Sequence, residues 1–358
     1  MERIQIEGYK SIKSLDLVLA PINILIGANG SGKSNFLSFF ELLKHVYNCN
    51  LKEYVALKGG TDKFLHLGSK ITSEISTKLF FRTNAYSFTL KQGEGSFIFV
   101  KEGLWYLTSD YSSSIDVASL NDESKLRFQT VSRAKYIRTF LDSLEKYHFH
   151  DTSTNSPFTK VSNINTDTFR LYDKGENIAA FLYNIREKHI TIYHLILKTI
   201  QSIAPYFLDF VLNPDENGNL RLLWKSKFGS QIYSVNDLSD GTIRFIALTT
   251  LFMQPNLPQT IIIDEPELGL HPAAVVKFSG LIQSAAAKNC QIILATQSAD
   301  LISYFEPEDI ITVDQIKGES VFKRLDSSTL GPWLEEYALD DLWKRNIIAT
   351  GQPNSILE

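Results

Sequence analysis

Ile22-Asn23-Ile24-Leu25-Ile26-Gly27-Ala28-Asn29-Gly30-Ser31-Gly32-Lys33-Ser34 is the stretch that decides the fold. A mostly apolar run of strand length enters a glycine-rich turn, after which Phe36, Leu37, Phe40, Leu42, Leu43 and Val46 recur at helical spacing to about Tyr47. The turn fits G-x-x-x-x-G-K-[ST], in which glycines let backbone amides crowd around phosphate oxygens and the helix N-terminus adds partial positive charge. Asn29, Gly30, Ser31 and Gly32 would line the phosphates, Lys33 would reach the β and γ phosphates, and Ser34 would offer its hydroxyl to Mg²⁺. A chance glycine-rich turn has no need of a buried strand before it and a helix after it. ATP and Mg²⁺ are therefore the expected ligands.

Working outward, the N-terminus reads as two further strands at residues 3–7 and 15–19. Between Ser73 and Leu107 four short β-rich runs, at 74–81, 86–91, 96–101 and 104–107, read as an antiparallel meander. The polar, serine-rich stretch 109–122 and the Ser/Thr/Asn-rich stretch 151–167 read as loops. Helical patterns cover about 132–147 and 177–203, the second stopping before Pro205, which lacks an amide hydrogen. Two strands joined through Asn217-Gly218, a good hairpin turn, then lead into a second α/β region from about Leu238.

With 358 residues the chain suits one elaborated domain or two modest ones. A hydrophobic content of 44% with 21% charged residues is that of a globular protein, and a net charge of −4 argues against a surface that is basic all over. Cys49 and Cys290 stand far apart in no metal-ligand or paired-thiol spacing, so reduced, buried thiols are expected. His148, His150 and Asp151 in a loop read as ordinary hydrogen-bonding groups rather than a metal site. No apolar run approaches bilayer-spanning length, and a cytoplasmic protein without a membrane partner is expected.

Two more segments carry chemistry. Thr260-Ile261-Ile262-Ile263-Asp264-Glu265-Pro266-Glu267 is an apolar strand ending in carboxylates. Asp264 there suits Mg²⁺ through water, and Glu265 suits orienting or deprotonating the attacking water. By itself the segment reads equally well as a solvated acidic turn after a core strand. Asn236-Asp237-Leu238-Ser239-Asp240-Gly241-Thr242 precedes a helical run over 243–252, and alone it is merely a good helix cap.

The order of phosphate loop, Leu-Ser-x-Gly and Asp-Glu strand resembles the ATP-binding cassette ATPase heads. Asp264-Glu265-Pro266-Glu267-Leu268-Gly269-Leu270-His271-Pro272 narrows the likeness to the soluble branch of structural-maintenance-of-chromosomes (SMC), RecF and overcoming-lysogenisation-defect (OLD) ATPases, stand-alone AAA-family ATPases of bacterial defence modules among them. Ile6-Glu7-Gly8-Tyr9-Lys10-Ser11-Ile12 is similar to their first strand and turn, where Lys10 would approach the nucleotide. The likeness covers about 1–50 and 230–315. It implies an α/β fold: an ABC-ATPase head with a core sheet, an antiparallel β subdomain and an inserted helical subdomain. The corresponding division is one discontinuous head over 1–358, with an N-terminal lobe at 1–108, a helical and loop insertion at 109–205 and a C-terminal lobe at 206–358.

In this family two heads sandwich two nucleotides, so Ser239 and Gly241 would act in trans and ATP would join a homodimer. Many members carry a histidine after the strand that follows the Asp-Glu motif, where this chain has Gln297 in Ile292-Ile293-Leu294-Ala295-Thr296-Gln297-Ser298. Glutamine orients water but takes no proton, so turnover is expected to be slow. The family's glutamine-bearing loop is not identifiable. The tail, Leu339-Asp340-Asp341-Leu342-Trp343 with Gly351-Gln352-Pro353, is similar to that of stand-alone bacterial ATPases that accompany a separately encoded, nuclease-like effector. The implied function is a regulatory ATPase of an anti-phage module. The alternative is a RecF-like repair ATPase with DNA as partner, for which Lys225, Lys227, Lys344 and Arg345 are the basic candidates against a reading as scattered solvated charges. A transporter subunit is the weakest reading.

Overall fold

Five residues buried on both faces, Ile22–Ile26, make a strand that survives only with neighbours on either side, as in a parallel sheet. The structure, a computed structural model, describes residues 1–345 and Ile348. Contacts divide the chain into two compact units: Met1–Leu144 with the described residues from Glu306 onward, and Glu145–Phe305. In chain order the first contains β1 (Arg3–Tyr9), β2 (Ile12–Val18), β3 (Ile22–Ile26), α1 (Lys33–Tyr47) and α2 (Leu51–Leu57), followed by β4 (Glu74–Phe81), β5 (Asn84–Gln92), β6 (Phe97–Leu107), β7 (Ser112–Ala118) and α3 (Ser132–Asp142). The second opens with β8 (Leu144–Tyr147) and β9 (Ser162–Asn163), then α4 (Ile178–Lys188) and α5 (Ile190–Ile203). It continues with β10 (Phe207–Val211), β11 (Asn219–Leu220), β12 (Leu223–Ser226), β13 (Ile232–Ser234), α6 (Asp240–Met253), β14 (Thr260–Asp264), α7 (Pro272–Ala287), β15 (Gln291–Ala295) and α8 (Ala299–Ile302). The chain then returns to the first unit with β16 (Ile310–Ile316), β17 (Glu319–Arg324), α9 (Ser327–Leu334) and α10 (Leu339–Lys344).

In the first unit β2-β1-β4-β5-β6-β7 form an antiparallel sheet, while β3 pairs in parallel with β16 and β16 antiparallel with β17. The apolar face of α1 buries Phe36, Leu37, Phe39, Phe40, Leu42, Leu43 and Val46. Phe39 meets Tyr9 edge-on at 5.5 Å between ring centres and Phe36 meets Phe322 at 5.4 Å, so α1 is held from both β1 and β17. Each such ring contributes about 2–3 kcal/mol by leaving water. In the second unit β14 and β15 run parallel with β8 on the far side of β14, and β10-β12-β13 make a small antiparallel sheet. The phosphate-loop strand, α1 and β1 lie where the sequence places them, and β2 begins three residues earlier than expected, at Ile12.

Several elements differ from expectation, each because a partner overrides local composition. The runs 96–101 and 104–107 are one strand, β6, bulged at Val100 where it pairs with β5, its register against β7 shifting between Glu102 and Gly103. Glu102 belongs inside it because it is buried and accepts from Tyr86 Oη at 2.6 Å, Lys125 N at 2.9 Å and Ser124 Oγ. The serine-rich stretch contains edge strand β7, whose backbone pairs with β6 while its side chains are mostly exposed, as suits an edge. The helix from Ser132 stops at Asp142, and the second long helix breaks at His189 into α4 and α5. The 151–167 stretch contains β9, which pairs with β11. Asn217-Gly218 does turn the chain, with Gly218 at φ +81°, yet β10 pairs with β12 instead of β11. Cys290 is buried, which pushes its thiol up to about 12, whereas Cys49 is half-buried. Gly351, Gln352 and Pro353 lie outside the described residues.

Candidate functional site

The first unit brings the phosphate loop, Lys10 and β17 together. Gly30 and Gly32 have φ of +80° and +113°, conformations that side chains other than glycine's resist. A Cβ on Gly32 would run into the Ser320 and Ser11 hydroxyls, whereas one on Gly30 would meet nothing within 4 Å. Gly32 is thus confined by packing, and Gly30 lies on the exposed rim beside Asn29. Lys33, 6% exposed, donates to Gly27 O at 2.6 Å and Ala28 O at 3.0 Å, wrapping the loop around its ammonium. Ser31 Oγ is buried with no hydrogen-bond partner among the described residues. These features fit a polyphosphate: a cationic floor, an orphaned hydroxyl and a glycine rim. Ser34, exposed in the first turn of α1, is placed to serve a metal ion held at that end.

Lys10 occupies a left-handed turn at φ +47° between β1 and β2. Its ammonium donates to Ser38 Oγ at 2.8 Å, one helical turn beyond Ser34, and lies over the Tyr9 and Phe64 rings at 5.4 and 5.9 Å. Alongside it Asn35 donates to Ser11 Oγ at 2.7 Å, and Ser320 Oγ donates to Ser31 O at 2.6 Å and lies 2.7 Å from Ser11 Oγ. Ser11 and Ser320, which brace the loop, carried no signal in the sequence. They come from turns distant in the chain and act through single hydroxyls.

The second unit builds the carboxylate turn. β14 and β15 run in register, Asp264 opposite Ala295, so the residues leaving both strands are neighbours. Asp264 is half-buried at the last position of β14. Glu265 follows at φ +39°, a left-handed conformation that costs a non-glycine residue about 1–2 kcal/mol and is held by its N–H donating to Ala295 O at 2.8 Å. Gln297 Nε2 donates to Glu265 Oε1, pairing the two residues assigned to the water. Thr296 Oγ1 donates to Glu267 Oε1, whose carboxyl is pushed up chiefly by burial and opposed by bonds from Thr296 and the Gln297 backbone.

Ser239 is the exposed N-cap of α6, its Oγ accepting from Thr242 N at 3.3 Å and lying 2.9 Å from Thr242 Oγ1. A Cβ on Gly241 would strike Gly269 O, so this glycine lets α6 lie directly against the turn after Glu267. Arg244, one turn on and 7% exposed, fastens the same contact: it donates to Leu268 O, to Phe149 O at 3.0 Å and to His150 O at 3.0 Å. Burial lowers its pKa, and its guanidinium neutralises no carboxylate among these partners. Glu267, Thr296 and Arg244 had no assigned role in the sequence. Glu267 stood inside a motif already noted, but its partner lies 29 residues away.

No curated protein matches the chain. Among solved structures it is similar to the Smc head bound to the C-winged helix domain of ScpA, with TM-score 0.58 and 16% identity over 92% of this chain and 98% of that one. It is also similar to the Smc head domain with an extended coiled coil bound to the C-terminal domain of ScpA derived from Pyrococcus furiosus, with TM-score 0.57 and 16% identity over 94% and 98%. Those likenesses identify the fold as that of the ABC-ATPase head. Among the described residues no helix is long and apolar enough to cross a membrane. Residues 22–303 match the family described as "AAA domain, putative AbiEii toxin, Type IV TA system". With that match running from the strand before the phosphate loop to beyond Gln297, the chain belongs to this AAA family and has the fold of the SMC head.

Proposed function

We propose that the protein hydrolyses ATP slowly and uses the ATP-bound state to form a homodimer that controls a separately encoded, nuclease-like effector in an anti-phage module. Asn29, Gly30, Ser31, Gly32, Lys33 and Lys10 bind the nucleotide in this reading, and Ser34 and Asp264 hold Mg²⁺. The metal, when bound, shares the phosphates' negative charge. Glu265 accepts the proton of the attacking water, and Gln297, paired with it, orients that water. Because glutamine supplies only hydrogen bonds at that position, turnover is slow.

The observation that carries the dimer is the exposed cap of α6. Ser239 stands exposed at the N-terminus of a 14-residue helix, its hydroxyl capping Thr242 N. Such an end attracts a phosphate, and a second copy's nucleotide supplies one. ATP then stabilises the dimer by mass action. The effector reading draws support from the toxin and type IV wording of the family description and from an Smc head captured with ScpA. It places the protein in the cytoplasm.

Sizing by light scattering tests the dimer, using the Glu265→Gln variant with and without ATP-Mg²⁺. That variant is expected to bind nucleotide, hydrolyse it about a hundredfold more slowly or worse, and accumulate as a dimer. A species that stays monomeric with nucleotide bound removes the trans role of Ser239 and Gly241. Copurification with the neighbouring gene product tests the effector.

A further inference from the structure

Glu267 has no part in the hydrolysis proposed above, yet its carboxyl is largely withdrawn from water. One oxygen accepts from Thr296 Oγ1, and the other, Oε2, is buried with no hydrogen-bond partner among the described residues. Withdrawing a carboxyl from water costs free energy that the bonds from Thr296 and the Gln297 backbone only partly offset, and an apolar side chain would close this turn without that cost.

What the carboxyl gains is control of the chain beyond β15. Thr296 is fully buried, and while it donates to Glu267 its Oγ1 accepts from Ser298 N at 2.9 Å. One threonine hydroxyl therefore holds the chain on both sides of Gln297. With both neighbours held, the Gln297 backbone has little freedom, and its exposed side chain leaves in one direction, toward Glu265 Oε1. The result is two rungs between the same two segments: Glu267 to Thr296, partly buried, and Glu265 to Gln297, exposed. The turn itself is closed by Leu268 N donating to Glu265 O at 3.2 Å and Leu270 N to Glu267 O at 2.9 Å, so the two carboxylates move together.

We propose that Glu267 is a positioning residue for hydrolysis: by gripping Thr296 it fixes the exit of β15 so that Gln297 meets Glu265 in the orientation that handles the water. This rests on the reading of Glu265 and Gln297 given above. A misplacement of about 1 Å in such a pair is enough to cost one to two orders of magnitude in rate.

The test is a double-mutant cycle on the full chain, with Glu267→Ala, Gln297→Ala and the combination, alongside Glu267→Gln and Glu265→Gln. Steady-state kcat and KM, affinity for a fluorescent ATP analogue and the melting temperature are measured for each. Glu267→Ala is expected to lower kcat about tenfold or more with KM and analogue affinity unchanged. Glu267→Gln, whose amide oxygen still accepts from Thr296, should recover to within about threefold of the wild type. Adding Glu267→Ala to Gln297→Ala should cost almost nothing further, because the group being positioned is already gone. A purely structural role would lower the melting temperature and make the two losses additive, which overturns the inference. If Glu267→Ala does not fold, Thr296→Val breaks the same rung from the other side and completes the cycle. Turnover that depends on Glu265 and Gln297 but ignores Glu267 defeats the inference alone. Turnover indifferent to Glu265→Gln defeats the underlying reading of the site.

Discussion

The phosphate loop obtains its geometry from backbone, the carboxylate turn from side chains. In the loop, Gly30 and Gly32 take positive φ, and the Lys33 ammonium is seated by carbonyls five and six residues before it. In the turn, Glu265 and Glu267 are held by Gln297 and Thr296, 32 and 29 residues further along. A site made by local backbone conformation is written in neighbouring residue types. A site made by pairing across two strands exists only once those strands lie side by side. The loop should therefore be brittle to changes of residue shape, and the turn to changes of hydrogen-bonding partner.

The sharpest way to break that contrast lies within the loop. Gly32→Ala places a Cβ against Ser320 and Ser11 at φ +113°, and nucleotide affinity should fall by about a hundredfold or more. Gly30→Ala meets no atom and carries only the backbone cost of about 1–2 kcal/mol, so affinity should fall about tenfold. Fluorescence titration of both variants decides the matter. Equal losses would mean that the packing of Ser11 and Ser320 does not shape the loop.

The next effect concerns how the turn is attached to α6. Arg244→Ala leaves the Leu268, Phe149 and His150 carbonyls without their buried donor, and unfolding free energy should drop by about 2–3 kcal/mol in urea titration. Arg244→Lys should not restore it, since one ammonium on a flexible stem cannot reproduce a planar fork reaching three oxygens. A full rescue by lysine would show that charge, not geometry, joins the helix to the turn.

The smallest effect is a pH dependence. Burial raises the Glu267 pKa, so the folded chain holds this proton more tightly than the unfolded chain. The resulting stabilisation is fully present below the unfolded value of about 4.3 and is lost as pH rises through the raised folded value. Glu267→Gln should flatten that decline in a series of urea titrations across the window. An unchanged pH profile would assign the decline to other groups.

Much of the site was legible because its signals are short-range. The strand, the glycine turn and the helix around Lys33 occur in one unbroken stretch, and Asp264 and Glu265 stand at the end of an obvious apolar strand. Ser239 was legible as a helix cap for the same reason. What escaped depended on company. Glu102 looked like a turn residue and is the buried acceptor of a tyrosine, and the serines of β7 looked like a loop and are an edge strand. Neither composition nor periodicity reports a partner that lies elsewhere in the chain.

By itself the sequence determined which groups are on offer: a cation and glycines in one turn, carboxylates at the end of one apolar strand, and an amide at the exit of another. These follow from residue type and from spacing over a few positions, which local backbone preferences translate directly into structure. The tertiary structure alone decided how that chemistry is aimed. Pairing β14 with β15 sets Glu267 against Thr296 and Glu265 against Gln297, and packing α6 on the turn through Gly241 and Arg244 fixes the cap beside it. Those contacts join residues about thirty positions apart, and only the burial of the strands and helix that carry them brings such residues within hydrogen-bonding distance.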